Sequence, residues 1–346
     1  MVGMKAPQIP SDHSTNVPWD EVVSRFALGA LQAPPERSTT GWGGHNVMWK
    51  VKTELGVFAI KQVGRALPGD TDKSFAVEMS AYASGIPAPR PVPSVSGHCY
   101  EVVAGTAFRC HEWVRGTAKL NEETSPREAS LMGEVVARLH GCAIECEPIQ
   151  GRPVFEESEW RRLAGEGRKV NAPWASMLRD EARRLVAVQR HARPHSDVGP
   201  TVGSHRDLNA HNVLFTDKGL LLIDWDAAGP AVPKTERAIV SMLWSQQSDG
   251  GYDANRTEAF LHGYRKGGGV VERDDAAQLT DWLDGLVWWM HENVEMALTM
   301  NTVEQHRAAE RLLIDTLRGP ETVVERQRFL SEVIERLDRN PGRAID

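Results

Sequence analysis

One short segment constrains what this chain can fold into more than any other. Residues 204–226 read SHRDLNAHNVLFTDKGLLLIDWD: a polar loop, an apolar run from Val213 to Phe215, a Thr-Asp-Lys-Gly turn and a second apolar run from Leu220 to Asp224. Short apolar runs on the two sides of a turn predict a β-hairpin. Both ends of this hairpin carry acidic and amide side chains. The segment therefore predicts a hairpin with a group of polar side chains at its open end.

The register of this hairpin brings three oxygen-bearing side chains together. If Phe215 and Leu220 flank the turn, Asn212 and Asp224 lie within one residue of each other across the open end. Asp207 lies on the loop that enters the same end. Carboxylate and amide oxygens suit a hard cation such as Mg²⁺, and a further carboxylate suits a general base. The alternative is that these residues are only polar loop ends, but their combined spacing favours a site.

Composition and charge limit the classes of partner that we expect this chain to bind. Of 346 residues, 41% are hydrophobic and 25% are charged, which is typical of a folded globular protein. Lys+Arg 40 against Asp+Glu 47 gives a net charge of -7, so no basic excess is present to bind nucleic acid. No apolar run is long enough to span a membrane, and the first residues lack the apolar core of a secretory signal. We therefore expect a cytoplasmic protein with no nucleic-acid or membrane partner.

Several enzyme classes are excluded by missing motifs. No Gly-Lys dipeptide is present, so the chain has no Walker A phosphate loop. The two segments that begin like a zinc-protease helix, at His111 and His291, lack a second histidine four residues later. No Gly-x-Ser-x-Gly motif occurs, and the four cysteines form neither a Cys-x-x-Cys pair nor a disulfide framework. The hairpin segment remains the main carrier of chemistry.

The hairpin segment resembles the catalytic segment of a known superfamily. His205, Arg206 and Asp207, followed by Asn212, resemble the H-x-D-x-x-x-x-N loop of the protein-kinase-like superfamily. The Asp-Trp-Asp run at 224–226 stands where protein kinases carry Asp-Phe-Gly. This form, without a following Ala-Pro-Glu segment, looks like the aminoglycoside phosphotransferase and choline kinase branch. Residues 40–300 are the part of the chain over which we expect the resemblance to extend.

The resemblance implies a role for each matching residue. The aspartate that matches Asp207 orients and deprotonates the acceptor hydroxyl. Asn212 and Asp224 match the residues that hold Mg²⁺ on the phosphates of the donor nucleotide, ATP or GTP. His205 matches the residue that braces the loop. Arg206 departs from the smaller residue that is common in this branch, so the resemblance implies no role for it.

The resemblance also implies the fold. We expect an α+β, protein-kinase-like fold of two lobes. Residues 1–19 are predicted as a flexible arm, 20–114 as a small β-rich nucleotide-binding lobe, and 115–346 as a largely helical lobe. Residues 41–64 and 98–115 show strand patterns, whereas the chain after Gly116 is mainly of helical pattern, interrupted by the hairpin. The helical lobe would carry the catalytic loop and the helices that bind the acceptor.

The predicted small lobe contains matches to the nucleotide-binding residues. Lys61 lies on a strand rich in β-branched residues and shares a face with Ala59. The resemblance implies that Lys61 binds the α- and β-phosphates and that Ala59 covers the adenine. Glu78, in the next predicted helix, matches the ion-pair partner of this lysine. Without the hairpin segment, Lys61 and Glu78 would be interpreted as surface charges.

Two further segments are predicted to contact the nucleotide only because of their position in the sequence. The run GWGGHNV is a glycine-rich turn between strands, whose backbone at Gly43, Gly44 and Val47 can approach phosphates closely. The strand that ends in HEWV matches the hinge between the lobes. Backbone groups from Glu112 to Val114 would then pair with the edge of the purine.

The acceptor side is predicted from one helix, 280–299. A stripe on it bears acidic and aromatic side chains, beside an apolar face of Trp282, Leu286 and Trp289. The stripe is either a solvated acidic face or a negative, aromatic wall for a cationic or sugar-bearing acceptor. Asp226 is a further acidic candidate, although it could equally support Asp224. The residues predicted to bind the acceptor are Asp226, Asp284, Trp288, His291, Glu292 and Glu295.

These observations predict a small-molecule phosphotransferase. The predicted reaction moves the γ-phosphate of ATP or GTP to a hydroxyl of an antibiotic, either aminoglycoside-like or containing a nucleoside or sugar, which would give resistance. A metabolic kinase of choline or a sugar would share every motif named above. A kinase-like protein without catalysis is a further alternative, which the presence of Lys61, Asp207 and Asp224 disfavours.

Overall fold

Along the chain, an antiparallel sheet comes first and is followed mainly by helices. The computed structural model describes residues 17–38, 47–63, 70–146, 153–192 and 200–339. The strands are β1 (Glu36–Arg37), β2 (Val47–Thr53), β3 (Gly56–Val63), β4 (Pro91–Val92), β5 (Glu101–Val103), β6 (Thr106–Glu112), β7 (Val202–Ser204), β8 (Val213–Thr216), β9 (Gly219–Leu222) and β10 (Gly229–Ala231). The helices are α1 (Trp19–Arg25), α2 (Asp70–Ala83), α3 (Pro126–Gly141), α4 (Glu157–Lys169), α5 (Ala175–Ala192), α6 (Pro233–Leu243), α7 (Ala254–Lys266), α8 (Asp281–Met300) and α9 (Val303–Arg339).

The N-terminal sheet is built around strands β2, β3 and β6. Its strand order is β1-β2-β3-β6-β4, and β5 pairs with β6. The predicted strands on both sides of the turn at residues 54–55 are confirmed, since Thr53 pairs with Gly56. Val22 and Val23 of α1 join Ile60 and Phe108 in a hydrophobic core that belongs to this sheet. Residues 1–16 of the arm predicted over 1–19 lie outside the described residues, and Trp19 already begins α1.

Helix α2 connects this sheet to the rest of the molecule. It begins at Asp70, and Ser74, a residue type that often caps helices, is buried inside it. The run Gly-Asp-Thr-Asp-Lys-Ser offers several residues that can cap a helix, so the sequence does not determine which one does. Val77 and Ala81 of α2 belong to the larger, C-terminal core. Glu78, on the same helix, is therefore fixed between the two parts of the molecule.

Helix α3 begins as its sequence predicts. Ser125 caps it, Pro126 is its first residue, and Glu128 completes a capping box. Helices α3 and α7 cross with their backbones in contact, because a Cβ atom at Gly133 would overlap the Phe260 carbonyl and one at Gly263 would overlap that of Ser130. The glycines thus set the distance between two helices that support the catalytic loop.

The hairpin β8–β9 has the predicted register. Phe215 pairs with Leu220 and Val213 with Leu222, and the Ile223 amide donates to the Asn212 carbonyl at 2.9 Å. A second pair, β7 with β10, joins the segment that enters the hairpin to the segment that leaves it. Together these pairs bring residues 204–207 and 223–229 to one end of the hairpin.

The remaining helices form the rest of the C-terminal core. The predicted helix at 280–299 is confirmed as α8, and the long helix α9 after it continues through Pro320. Helix α4 was not predicted, because its polar sequence contains two glycines and buries only a narrow stripe that includes Trp160 and Leu163. None of the helices in the described ranges is both long and apolar enough to cross a membrane.

Candidate active site

The carboxylate of Asp207 is held by amide groups on the loop that enters β8. Its Oδ1 accepts a hydrogen bond from Asn209 Nδ2 at 2.5 Å, and its Oδ2 accepts one from Asn212 Nδ2 at 2.8 Å. The same Asn212 group also donates to the Asp207 carbonyl at 3.0 Å. These contacts fix the direction of both carboxylate oxygens. The close approach of Asp207 and Asn212 predicted from the sequence is thus observed.

His205 joins this loop to the end of β9. Its Nε2 donates to the Ile223 carbonyl at 2.9 Å, and its Nδ1 accepts from the Asp207 amide at 3.3 Å. The ring is buried and packs against Trp225, with ring centroids 4.6 Å apart. Donation through Nε2 and acceptance at Nδ1 require the neutral imidazole. His205 therefore supports the backbone of Asp207 and does not offer a free nitrogen to a substrate.

A buried polar network lies beneath the catalytic loop, and the sequence did not reveal it. Glu236 of α6 accepts hydrogen bonds from Ser204 Oγ at 2.5 Å, His140 Nε2 at 2.8 Å and the Arg206 amide at 2.9 Å. His140 Nδ1 shares a further hydrogen bond of 2.8 Å with the Tyr264 hydroxyl. A glutamate in the first turn of a helix is usual at the surface, so its residue type gave no signal of burial. Helices α3, α6 and α7 all contribute to this support.

The Glu236 carboxyl is ionised in this network. Burial raises its pKa, but the hydrogen bonds and charge from His140, with those from Ser204 and the Arg206 amide, outweigh burial and place the pKa below its ordinary value. Arg206 has a left-handed backbone with φ 65°, which is uncommon for a residue that has a Cβ atom. The hydrogen bond from its amide to Glu236 stabilises this conformation one residue before Asp207.

Asp224 also adopts a left-handed backbone, at the point where β9 ends. Its φ is 64°, which turns the chain sharply into the short helical turn that follows. Asparagine and aspartate tolerate this region better than most residues, but it remains strained. Asp224 is partly exposed, and its Oδ1 accepts from Lys61 Nζ at 2.6 Å. The strand and the turn thus direct this carboxylate toward the N-terminal sheet.

Lys61 and Arg109 form a cluster with three carboxylates where the sheet meets the hairpin. Lys61 Nζ contacts Asp224 Oδ1 and Asp226 Oδ2, both at 2.6 Å. Arg109 contacts Asp226 Oδ1 and Glu78 Oε2, also at 2.6 Å. Burial lowers the pKa of Lys61, but the charges of Asp224 and Asp226 outweigh burial and raise it overall. Burial likewise raises the pKa of Asp226, but the charges of Lys61 and Arg109 lower it overall.

The predicted ion pair between Lys61 and Glu78 is not formed. Glu78 is buried, and its carboxylate instead accepts from Arg109 at 2.6 Å and from His111 Nε2 at 2.7 Å. Arg109 lies directly across from Lys61 in the β3–β6 pair. Its longer side chain reaches Glu78, while Lys61 is drawn to the two carboxylates of the hairpin. Arg109 and His111 lay on the strand predicted as the hinge, and only their charge could have marked them as site residues.

Asp226, which was predicted either to bind the acceptor or to support Asp224, contacts two basic residues. Both of its oxygens are engaged by Lys61 and Arg109, so it belongs to the same cluster as Asp224. The other sequence interpretation, in which Asp226 supports Asp224, agrees with these contacts. The reason is the short turn after Asp224, which returns Asp226 to the side that faces the sheet.

The oxygen atoms at the open end of the hairpin fit a hard divalent cation. Asn212 uses Nδ2 to hold Asp207, so Oδ1 is the atom of its amide that can coordinate. Lys61 contacts Oδ1 of Asp224, which leaves Oδ2 of that carboxylate for a ligand. One amide oxygen and one carboxylate oxygen on facing backbone positions form a donor set that suits Mg²⁺, which keeps water and phosphate oxygens as its other ligands.

Some of the residues predicted to contact the nucleotide are placed on β2, β3 and β6. Val47 begins β2 and pairs with Gln62, and Ala59 lies in the centre of β3 opposite His111. Gly43 and Gly44 lie outside the described residues. The side chain of Val47 is partly buried against the core of the N-terminal sheet.

Two groups of Glu112, at the predicted hinge, already have partners in the protein. Its amide donates to the Arg90 carbonyl at 2.9 Å, and its carboxylate pairs with the Arg90 guanidinium, so the sheet already uses these groups. The Trp113 amide likewise donates to Val57. The Val114 amide makes no hydrogen bond with any residue in the described part of the chain. Val114 therefore has the one amide of the predicted hinge that no described residue engages.

Helix α8 buries a different face from the one predicted. Its core side consists of Leu283, Val287, Met290, Val294 and Ala297, whereas Trp289 of the predicted apolar face is 47% exposed. This helix has apolar residues on most of its circumference, so periodicity alone allows more than one buried face. Its actual side is selected by packing against α5 and α9.

Two acidic-stripe residues of α8 are buried by the same packing. Asp284 is 2% exposed and accepts from Gln189 Nε2 of α5 at 3.1 Å. His291 is buried and stacks on Phe155, with ring centroids 3.9 Å apart. Both were predicted to bind the acceptor, but packing between helices occupies them. Trp288 is half-buried against the core.

The last two stripe residues remain accessible to solvent. Glu292 and Glu295 have side chains 43% and 48% exposed and lie 3.8 and 4.0 Å from His291 Nδ1. Nearby, Glu159 of α4 binds Arg162 and accepts from His291 Nε2. The hydrogen bond from Arg162 lowers the pKa of Glu159 to about 2, against a smaller effect of burial. This end of α8 is therefore acidic and partly solvated.

A comparison with models of protein families shows the family to which this chain belongs. A family model described as the phosphotransferase enzyme family matches residues 39–270. This span contains the catalytic loop, the hairpin and the charge cluster around Lys61.

Solved structures of similar fold include an aminoglycoside phosphotransferase from Alicyclobacillus acidocaldarius, with a TM-score of 0.55 and 17% identity. That comparison covers 97% of this chain and 98% of the other chain. A choline/ethanolamine kinase family protein from Mesorhizobium loti gives a TM-score of 0.57 at 18% identity, covering 90% of this chain and 97% of the other. At such identities the likeness shows the fold, and the predicted α+β, kinase-like fold of two lobes is confirmed.

A curated protein of similar sequence is a homoserine kinase from Granulibacter bethesdensis. It is 27% identical over 201 residues, which are 56% of this chain and 60% of that protein. The match thus spans well under two thirds of the length of this relative.

Proposed function

Because the chain belongs to the phosphotransferase enzyme family, we propose that it transfers the γ-phosphate of ATP or GTP to a hydroxyl group of a small molecule. The observation that carries this proposal is the convergence of Asp207, Asn212, Asp224 and Lys61 at the open end of one hairpin. A general base, two oxygen ligands and a buried cation are the groups that phosphoryl transfer needs.

Asp207 aligns the acceptor hydroxyl. Amide groups hold both of its oxygens, so the carboxylate presents a fixed direction without being neutralised by a cation. The hydroxyl oxygen attacks the γ-phosphorus, the bond from that phosphorus to the bridging oxygen breaks, and the nucleoside diphosphate leaves. The proton of the hydroxyl passes to Asp207 and then to solvent. Such a positioned base accelerates a reaction by about 10²–10⁴-fold.

The charges of the donor phosphates are met by Lys61 and by the hairpin oxygens. Asn212 and Asp224 would hold Mg²⁺, which supplies charge neutralisation on the donor phosphates when it is bound. Lys61 lies within reach of the same carboxylate and carries its positive charge firmly, since its pKa is raised by Asp224 and Asp226 against the effect of burial. Val47, Ala59 and the Val114 amide would line the purine.

The proposal also assigns a function to each of the two lobes. Residues 20–114 would bind the nucleotide, and 115–346 would supply the catalytic loop and bind the acceptor. Glu292 and Glu295 are the predicted acceptor residues that remain accessible. Trp288 is half-buried beside them on α8.

Two classes of acceptor are supported. A hydroxyl of an antibiotic is one, in line with the fold shared with the Alicyclobacillus aminoglycoside phosphotransferase. An amino alcohol of central metabolism is the other, because the matching curated relative is a homoserine kinase. Both classes carry a cationic amine near a hydroxyl, and the accessible carboxylates of α8 suit a cation of either kind.

A phosphotransfer screen tests the function. Purified protein is incubated with Mg²⁺ and either ATP or GTP in the presence of aminoglycosides, homoserine, choline or a simple sugar, and the products are examined by mass spectrometry. We expect an added phosphate on one acceptor class, with Asp207→Asn as the inactive control. Nucleotide binding without transfer or hydrolysis would support the alternative of a silent kinase-like protein. Absence of nucleotide binding would exclude the function altogether.

A further inference from the structure

Asn121 contacts the catalytic loop from a segment that no motif marked. It begins a short helical turn, Asn121–Glu123, between β6 and α3. The Ala210 amide donates to its Oδ1 at 2.8 Å, and its Nδ2 lies 3.3 Å from Asn209 Oδ1. Asn209 is the residue that donates to Asp207 Oδ1. Asn121 is therefore a direct neighbour of a group that holds the proposed general base.

The polarity of hydrogen bonds fixes the direction of the Asn121 amide. A peptide nitrogen can only donate, so the atom that the Ala210 amide meets has to be the side-chain oxygen of Asn121. The nitrogen then lies on the other side, where it donates to Gln246 Oε1 at 3.1 Å and to Asn209 Oδ1. A backbone group thus determines that Asn121 presents a donor to Asn209.

The same reasoning fixes the direction of the Asn209 amide. Because Asn121 presents a donor, Asn209 meets it with its oxygen, and its Nδ2 is turned to Asp207 Oδ1 at 2.5 Å. If the Asn209 amide were reversed, nitrogen would face nitrogen at Asn121 and oxygen would face oxygen at Asp207. Neither contact would then be a hydrogen bond. Asn121 thus favours the one orientation of Asn209 that places a donor on Asp207.

Asn121 is itself held by groups outside the catalytic loop. The buried Arg256 of α7 donates to the Asn121 carbonyl at 2.7 Å and to the Gln246 carbonyl at 2.5 Å. Thr124 Oγ1 also donates to the Asn121 carbonyl at 2.8 Å. Hydrogen bonds from a charged donor are stronger than neutral ones. The segment that carries Asn121 is therefore fixed in place independently of the loop.

We infer that Asn121 is a positioning residue that sets the direction of the Asn209 amide and so keeps a donor on Asp207 Oδ1, an inference that rests on the proposed function. With Asn209 on one oxygen and Asn212 on the other, the Asp207 carboxylate is restrained against rotation. Without the first donor, the carboxylate would turn and the acceptor hydroxyl would lose its aligned base. Misplacement of a reacting group by about 1 Å can lower a rate by about a hundredfold.

Asn121→Asp tests this inference, because it keeps the acceptor for the Ala210 amide and replaces the donor with an oxygen. The Asn209 amide then lies between two carboxylates and meets one of them with its own oxygen in either orientation, so its hydrogen bond to Asp207 should weaken. The kcat should fall by about 10–100-fold, while the dissociation constant of Mg²⁺-ADP stays within about threefold of the wild type. Asn255→Asp adds the same charge at an exposed position of α7 and should change neither quantity.

Two measurements follow the variant. Turnover is measured in the full chain as ADP release from Mg²⁺-ATP, with homoserine, choline and an aminoglycoside as acceptors. In protein labelled with ¹⁵N at asparagine, the side-chain amide signal of Asn209 is identified by its loss in Asn209→Ala. Its proton signal should move upfield in Asn121→Asp, as a weakened hydrogen bond requires.

A second substitution separates this role from a merely structural one. In protein that carries Asn209→Ala, the amide through which Asn121 acts is absent, so Asn121→Asp should lower turnover by no more than about threefold further. If Asn121 only stabilises the loop, or if the new charge acts directly on Asp207, the two effects will multiply. That result, or wild-type turnover or an unshifted amide signal in Asn121→Asp, would overturn the inference.

Two further outcomes are distinguishable from these. If Asn121→Asp does not fold, Asn121→Ala, which adds no charge, is compared in the same two backgrounds, and the same lack of additivity is expected. Wild-type protein that binds no Mg²⁺-ADP would overturn the proposed function itself, and the amide signal would still decide whether Asn121 directs Asn209.

Discussion

The carboxylates in two regions of the molecule differ in their burial and in their contacts. Around the hairpin, Glu78 and Glu236 are buried, and each accepts hydrogen bonds from two or more specific donors. At the end of α8, Glu292 and Glu295 are about half exposed and lie 3.8–4.0 Å from the nearest side-chain nitrogens of His291 and Arg162. Enclosed charges interact strongly and fix geometry, whereas exposed charges are screened by water and salt. The first region is suited to position reacting groups and the second to attract a ligand.

The largest effect is expected at Asp207, the carboxylate that amides hold without a cation. Asp207→Asn should lower turnover by about 10²–10⁴-fold, because the acceptor hydroxyl loses its base. Nucleotide affinity should stay within a small factor of the wild type, since Asp224 and Lys61 are unchanged. Turnover is measured by coupled detection of ADP, and affinity by calorimetry. Wild-type turnover in this variant would show that Asp207 is not the general base. It would also contradict the view that the hairpin region positions the reacting groups.

The next largest effect concerns Glu236, which lies under the catalytic loop and touches no substrate. Glu236→Gln should lower the free energy of unfolding by about 1–3 kcal/mol, because His140, Ser204 and the Arg206 amide lose a charged acceptor. Turnover should fall by up to about a hundredfold as the loop shifts. Urea unfolding and steady-state kinetics measure the two effects. Glu272→Gln, at a half-exposed carboxylate that pairs with Lys234, is the control and should change neither.

The pH dependence of the free energy of unfolding should contain a contribution from the Glu236 carboxylate. The pKa of Glu236 is lower in the folded protein than its ordinary value of 4.5. Its contribution to stability is therefore present above about pH 4.5 and is lost as the pH falls from there through the lower, folded pKa. Urea unfolding between pH 7 and pH 3 should show a steeper acid decline in the wild type than in Glu236→Gln. Parallel declines would mean that Glu236 is not held ionised by its neighbours.

The smallest effects are expected at the end of α8. Glu292→Gln with Glu295→Gln should change the free energy of unfolding by less than about 0.5 kcal/mol, since both side chains are half exposed. If they attract a cationic acceptor, the acceptor KM should rise, and the rise should shrink with added salt. Asp284→Asn, on the buried side of the same helix, should instead destabilise the protein with no salt-dependent change in acceptor KM. If Asp284→Asn changed the acceptor KM and the two glutamate substitutions did not, the buried side of α8, and not its exposed side, would affect acceptor binding.

The sequence predicted the hairpin well because its geometry is local. A turn and two short apolar runs fix the register, and the register alone places Asn212 beside Asp224. The strands that flank residues 54–55 and the capped start of α3 were predictable for the same reason.

What the sequence did not reveal depends on contacts between distant segments. Glu78 was expected to pair with Lys61, but Arg109 reaches it first from a strand that is more than thirty residues away along the chain. Glu236 and His140 come from different helices, and neither carries a pattern that indicates burial. Helix α8 was predicted as an element, but the predicted buried face was wrong, because a helix with apolar residues on more than one face takes its orientation from its neighbours.

The contact between α3 and α7 has a consequence for how the protein tolerates mutation. Gly133 and Gly263 lie where any side chain would strike the backbone of the facing helix. His140 and Tyr264, which are hydrogen-bonded to each other under the catalytic loop, are carried by the same two helices. A methyl group at either glycine would force the helices apart and pull that bond open. In a library of random substitutions selected for activity, these two glycines should therefore be as intolerant as Asp207, the proposed general base, although neither lies beside it.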